Sequence, residues 1–178
     1  MANSTKAAKH LYRLGAASTG VGCKATTATG HQIYTDLPRA MGGTNRYAQP
    51  VETLIASLLG CKVATAHFVA RHLWQRPHNR ILGIEFRDVE AGRDDRGALA
   101  LPITRQPPVS AALQFVNGVV RVRPVSSCTT ADDVSELGRL VEERCPVAAT
   151  LTAAGCQLHF EWVIDAPPDP ELEPGKTS

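Results

Sequence analysis

Short stretches of alternating or β-rich composition open the chain. "HLYRLGAAS", "GCKATTAT" and "HQIYTD" are separated by Thr19-Gly20 and Thr29-Gly30, and turn residues between pieces of this length predict strands joined as hairpins. "LPRAMGGTNRYAQ" follows as a loop. The period then changes. Pro50 suits a first helical position, Glu52 lies in the first turn, and Val51, Leu54, Ile55, Leu58, Leu59, Phe68 and Val69 recur at helical spacing. Small residues fill the gaps as far as Ala70, and Pro77 supplies a stop. A helix apolar nearly all round belongs at the centre of a fold.

"RILGIEFRDVE" and "ALQFVNGVVRVRPV" read as strands, the intervening 90–112 stretch as a charged, Pro-containing surface loop or hairpin extension. In "TTADDVSELGRLVEERC", Thr130 and Asp133 form a capping box, while Val134, Leu137, Leu140 and Val141 make one stripe. Cys145, four residues after Val141, continues that stripe, and "PVAATL" begins a further short helix. "CQLHFEWVI" alternates, with Cys156, Leu158, Phe160, Trp162 and Ile164 on one face. The order strands, helix, strands, helix, strand predicts an α+β domain. The Pro-rich, acidic 166–178 tail has no apolar payload and is expected to be disordered.

Composition excludes more than it identifies. A net charge of +2 without a basic block gives no nucleic-acid surface. Lys62 and the histidines interrupt the longest apolar run, so no membrane span is expected. The five cysteines, at 23, 61, 128, 145 and 156, include no CxxC, and no apolar signal segment opens the chain. Reduced thiols in the cytoplasm are the expectation. The basic first twenty residues leave mitochondria as the alternative.

Cys61 and Cys145 lie on the apolar faces of the two helices and would face one interior if the helices pack together. His67 and His72 point away from Cys61 or lie too far along the helix to form a Cys-His pair. Cys156 and His159 point to opposite faces of a strand, so no zinc site is expected. Cys23 and Cys128 read as incidental.

"YTDLPRAMGGTNRYAQPVETLIASLLGC" followed by "ERCPVAATL" resembles the OsmC/Ohr family, in which a Gly-rich segment and a P-x-E-L-L-like helix start lead to "GC" or "AC" and a "CPV" or "CPY" tripeptide follows later. The resemblance spans roughly residues 10–165 and implies a single OsmC-like domain over residues 1–165 with 90–112 inserted. It implies two central helices wrapped by antiparallel sheets in an intertwined homodimer. It also implies a peroxidase: Cys61 attacks an organic hydroperoxide and becomes a sulfenic acid, Cys145 resolves it as a disulfide, and a dithiol, possibly of lipoyl type, resets it. No metal or organic cofactor is implied. A non-enzymatic relative that binds a hydrophobic ligand or a partner, and a redox sensor without turnover, are the alternatives.

A thiol among Leu58, Ala64 and Phe68 should ionise reluctantly and needs a cation. The resemblance assigns that cation to the loop before the helix, where Arg39 is the best match and Arg46 the second. Its glutamate partner, Glu52, departs from the family pattern. The family's acid stands ten positions before the first Cys, where this chain has Val51, and Glu52 is nine before. At about 100° per residue Glu52 falls about 180° from Cys61, which suits a carboxylate that complements the helix N-terminus. Cys145, at the start of the "PVAATL" helix, is expected to have its pKa lowered by backbone donors.

Overall fold

The computed structural model describes residues 10–74, 81–125 and 129–165. Cys128, Pro77 and the 166–178 tail therefore lie outside the described residues. The chain divides into two compact units, residues 1–54 and 55–178, with the boundary inside the first long helix.

The first unit is a three-stranded antiparallel meander, β1 (Leu14–Thr19), β2 (Gly22–Thr27) and β3 (Gln32–Thr35). Gly20 and Gly30 make the two turns with φ of 61° and 87°, in the left-handed region that glycine enters most readily. After β3 the chain enters a loop held from within by Asp36. Its carboxylate accepts the Thr44 hydroxyl at 2.5 Å and the backbone N–H groups of Leu37 at 2.8 Å and of Thr44 and Arg46 at 3.1 Å. A single 3₁₀ turn, Arg39–Met41, sits in this loop, closed by Gly42 at φ 84°. Gly43 passes so close to Leu37 that a Cβ there would lie 1.9 Å from the Leu37 carbonyl oxygen, so the Gly-Gly pair serves both a turn and a close approach.

These bonds pull the Asp36 carboxyl from 3.8 down to about 2, the Thr44 hydroxyl contributing most and the Arg46 and Leu37 amides next. A depressed carboxylate stabilises only while ionised, so its contribution is complete above its unfolded value and is lost as pH falls through about 2. The Thr44 and Arg46 amide resonances should therefore shift together in an NMR titration below about pH 3, and Asp36→Asn should remove that step.

The second unit holds β4 (Ile81–Arg93), β5 (Leu113–Pro124) and β6 (Gln157–Ile164) in one sheet of that order. β4 and β5 are antiparallel, with a bulge where Asp88 takes φ 52°. The stretch between them ends β4, adds a one-turn helix α2 (Arg96–Leu99) and continues as coil. β6 joins β5 in parallel, so this sheet is mixed where the resemblance implied antiparallel pairing. A parallel neighbour requires a crossover, and α3 (Ala131–Arg144) and α4 (Pro146–Ala153) provide it. Thr130 caps α3 by the predicted box, accepting from the Asp133 N–H while its own N–H reaches the Asp133 carboxylate at 2.8 Å.

The long helix α1 runs Pro50–Leu73. Its C-terminal part shares a core with α3 and the sheet: Ala66, Val69, Ala70 and Trp74 pack with Val134, Leu137, Val141, Val120 and Val122. A second core gathers Leu58, Val116, Cys145, Ala148, Leu151 and Cys156. The expectation that Lys62 and the histidines rule out a span needs correction, because α1 is long and apolar enough by length and composition to cross a membrane. Lys62 does not break the apolar run, because it folds into the core alongside Leu58 and Ala66. Val51, Leu54 and Phe68 remain exposed on this helix.

Gly138 of α3 gives room to the Trp162 ring, since a Cβ there would lie 2.5 Å from it. Gly138→Ala should lower stability by about 1–3 kcal/mol despite alanine's better helix propensity, because a rigid indole in a packed core has nowhere to move. Urea unfolding monitored by circular dichroism reads this directly.

Candidate active site

Two thiols meet in the second unit. Cys61 is placed by the middle of α1, half-buried at the rim of the second core. Cys145 follows α3 and caps α4, fully buried. Its backbone N–H donates to Val141, ending α3, and its sulfur accepts the Ala148 N–H at 3.5 Å, starting α4. Pro146 takes the first helical position, where no N–H is needed. Cys61 packs against the core that holds Cys145, near enough for each thiol to influence the other's ionisation. Both are free thiols.

The Cys145 pKa moves opposite to the expectation from its helix position. Burial pushes it up from its ordinary value of 9.0. The Ala148 and Val147 amides pull it down, but less than burial and the neighbouring Cys61 raise it. A helix of eight residues offers only a small partial charge, and a fully buried sulfur has no water to help it ionise. Burial decides the sign.

Cys61 opens onto a cleft of about 480 Å³ lined by Ala64, Thr65, Phe68, Arg144 and Pro146. The wall is mostly apolar, and Phe68 is 53% exposed, its ring against His72 with centroids 4.6 Å apart. Arg144 is exposed and has no ion-pair partner among the described residues. The sequence reading missed this cation, although it directly precedes Cys145. On the inner side of α1, next to Cys61, the fully buried Lys62 pairs with Glu142 of α3 and places its amine 4.4 Å above the Phe160 ring.

The remaining predicted residues belong to the first unit or stand apart. Arg39 lies in the exposed 3₁₀ turn, and neither it nor Arg46 has an ion-pair partner among the described residues. The Glu52 carboxylate accepts the Gln49 N–H at 2.7 Å, which occupies it at the helix N-terminus. Thr53 in turn donates through its N–H and hydroxyl to the Gln49 carbonyl, at 2.9 and 3.1 Å. Cys156 is buried in the same core as Cys145, and burial raises its pKa too. Cys23 lines a separate cleft of about 500 Å³ in the first unit, beside Lys24 and the stacked Tyr34–Tyr47 pair. No group of three His, Cys, Asp or Glu gathers to hold a metal among the described residues.

The fold and the site define a mixed α+β protein with a close thiol pair under an open, largely apolar cleft. Comparison with solved structures gives that class a name: the fold is the OsmC-like fold. An OsmC-like protein from Mycoplasma pneumoniae superposes with a TM-score of 0.68 at 18% identity, over 88% of this chain and 99% of that one. An organic hydroperoxide resistance protein and predicted redox protein from Legionella pneumophila gives 0.61 at 14% identity, over 87% and 99%. A third, described as an organic hydroperoxide resistance protein of Vibrio cholerae with captopril in one of its active sites, gives 0.59 at 15%, over 89% and 96%. No protein-family model and no curated protein matches the sequence.

Proposed function

We propose that this protein is a member of the OsmC/Ohr family that reduces organic hydroperoxides through Cys61 and Cys145. One observation carries the reading: two free thiols in one core, one buried and the other facing an open cleft. The Cys61 thiolate attacks the terminal oxygen of the hydroperoxide. The O–O bond breaks, the alcohol leaves with a proton, and Cys61 becomes a sulfenic acid. Cys145 then attacks the Cys61 sulfur, water leaves, and a disulfide forms. A dithiol, of lipoyl type or similar, returns the two electrons by thiol–disulfide exchange.

The chemistry asks for positive charge at Cys61, because only the thiolate is a good nucleophile. Arg144 lines its cleft, and Arg39 is the cation that the family likeness assigns, with Glu52 as the acid of that pair. An apolar wall of Phe68, Ala64 and Pro146 suits the organic part of such a substrate. Residues 1–165 act as one OsmC-like domain, and a homodimer in the cytoplasm covers the exposed apolar residues of α1. The two solved structures named for hydroperoxide resistance support the substrate class. Mixing the reduced protein with cumene hydroperoxide tests the proposal. About one equivalent should be consumed per subunit with loss of two thiols, mapped as a Cys61–Cys145 bridge. A reaction no faster than that of free cysteine overturns it and leaves the ligand-binding reading.

A further inference from the structure

The two thiols are not the only link between α1 and α3. Lys62 directly follows Cys61, and Glu142 stands three residues, one helical turn, before Cys145. The same two stretches of backbone therefore carry two adjacent links, Cys61 packed against the core that holds Cys145 and the Lys62 ammonium paired with the Glu142 carboxylate. Lys62 is 0% exposed, and its amine is sandwiched between Glu142 and the face of Phe160.

A lysine is a costly residue for this position. Removing its charge from water is unfavourable, and apolar residues of similar volume in place of a buried ion pair commonly leave a protein as stable or more so. Stability alone does not account for it. Register does. Apolar contacts between helices are non-directional, and α1 presents apolar or small residues on nearly every side, so packing alone tolerates sliding and rotation. A shift of α1 by one residue moves Cys61 by about 1.5 Å and about 100° around the axis. A disulfide does not tolerate such a displacement, because its Cβ atoms must approach to about 3.8 Å with the sulfurs correctly aimed.

We propose that Lys62 and Glu142 are positioning residues: the ion pair between the buried Lys62 and the partly exposed Glu142 fixes α1 against α3 in the one register that lets Cys61 and Cys145 bridge. The inference rests on the reading of those two thiols as a redox pair, and its test avoids hydroperoxide altogether. The reduced full chain and its Lys62→Met, Lys62→Arg, Glu142→Gln and Lys62→Met/Glu142→Met variants are equilibrated in oxidised and reduced dithiothreitol. The Cys61–Cys145 bridge is quantified by thiol trapping and peptide mapping, and thermal unfolding of the reduced forms is recorded alongside.

The double variant should unfold at or above the wild-type temperature, yet form the bridge about tenfold less favourably. Lys62→Arg, which keeps the charge and the carboxylate partner, should recover most of the loss. Equal bridging in the double variant and wild type overturns the proposal, as does a loss that merely follows a lower unfolding temperature. A wild-type chain that bridges here but ignores cumene hydroperoxide defeats the peroxidase reading while leaving the positioning role intact. A wild-type chain that never bridges overturns both.

Discussion

Cys61→Ser should abolish rapid hydroperoxide consumption, while Cys145→Ser should react once per subunit and then stall. The two outcomes differ because the two sulfurs stand in different surroundings. Cys61 lies on the cleft, where an oxygen of an incoming hydroperoxide can reach it, and a serine hydroxyl there is far too weakly acidic to supply an anion. Cys145 is sealed from solvent inside the second core, where its sulfur caps the start of α4 and Cys61 lies at the rim. With serine in its place the capping acceptor for the Ala148 N–H is kept, so the fold survives, but the sulfenic acid at Cys61 has no resolving thiol. Stopped-flow oxidation followed by dimedone trapping and mass spectrometry separates the cases. Trapped sulfenic acid should appear at Cys61 in Cys145→Ser and at no site in Cys61→Ser. Undiminished turnover in Cys145→Ser would pass the resolving role to another thiol, and Cys156 in the same core is the nearest in kind.

The second large effect is on pH. Because burial holds the Cys145 pKa above its ordinary 9.0, Cys145 is a thiol at neutral pH. The fraction present as thiolate rises about tenfold for each pH unit until that pKa is passed. Resolution should follow the same slope, so the sulfenic acid at Cys61 should be long-lived near pH 6 and short-lived near pH 9, values chosen on either side of the neutral range. Double-mixing experiments, with peroxide first and a thiol-trapping quench later, measure that lifetime. A lifetime independent of pH would mean that the protein ionises Cys145 by local rearrangement after Cys61 is oxidised.

The sequence was most informative where a local pattern has a single physical meaning. Thr130 and Asp133 announce a capping box, Pro146 after Cys145 announces a second helix start, and the Val134–Leu137–Val141 stripe announces a buried face. The meeting of the two thiols followed from those faces once the helices packed. Strand direction was not readable, since the alternation in "CQLHFEWVI" is the same whether β6 runs parallel or antiparallel to its neighbour. Lys62 was read as an interruption because a charge normally seeks water, and the carboxylate that allows it indoors lies 80 residues away. The sign of the Cys145 shift was missed for a related reason. A helix N-terminus is visible in a sequence, whereas the degree of burial that outweighs it is a property of the assembled core. Nothing local in the sequence singles out Arg144, and only the neighbouring turn of α1 makes it part of a cleft.

The parallel strand at the edge of the second sheet bears on how such a chain is made. β6 leaves the ribosome after both thiols and after every other described element, and its residues Leu158 and Phe160, with Cys156 just before it, help close the core around Cys145. A nascent chain that has not reached Gln157 already carries both thiols but lacks the strand that covers the second. During that interval Cys145 is wet, ordinary and open to passing oxidants, and the restraint on its ionisation does not yet exist. Only when this eight-residue strand docks beside β5, a contact distant in sequence and therefore slow to find, does the chemistry of Cys145 become that of the folded protein. Synthesis in a strongly oxidising setting would thus strike the thiol pair before the fold can protect it.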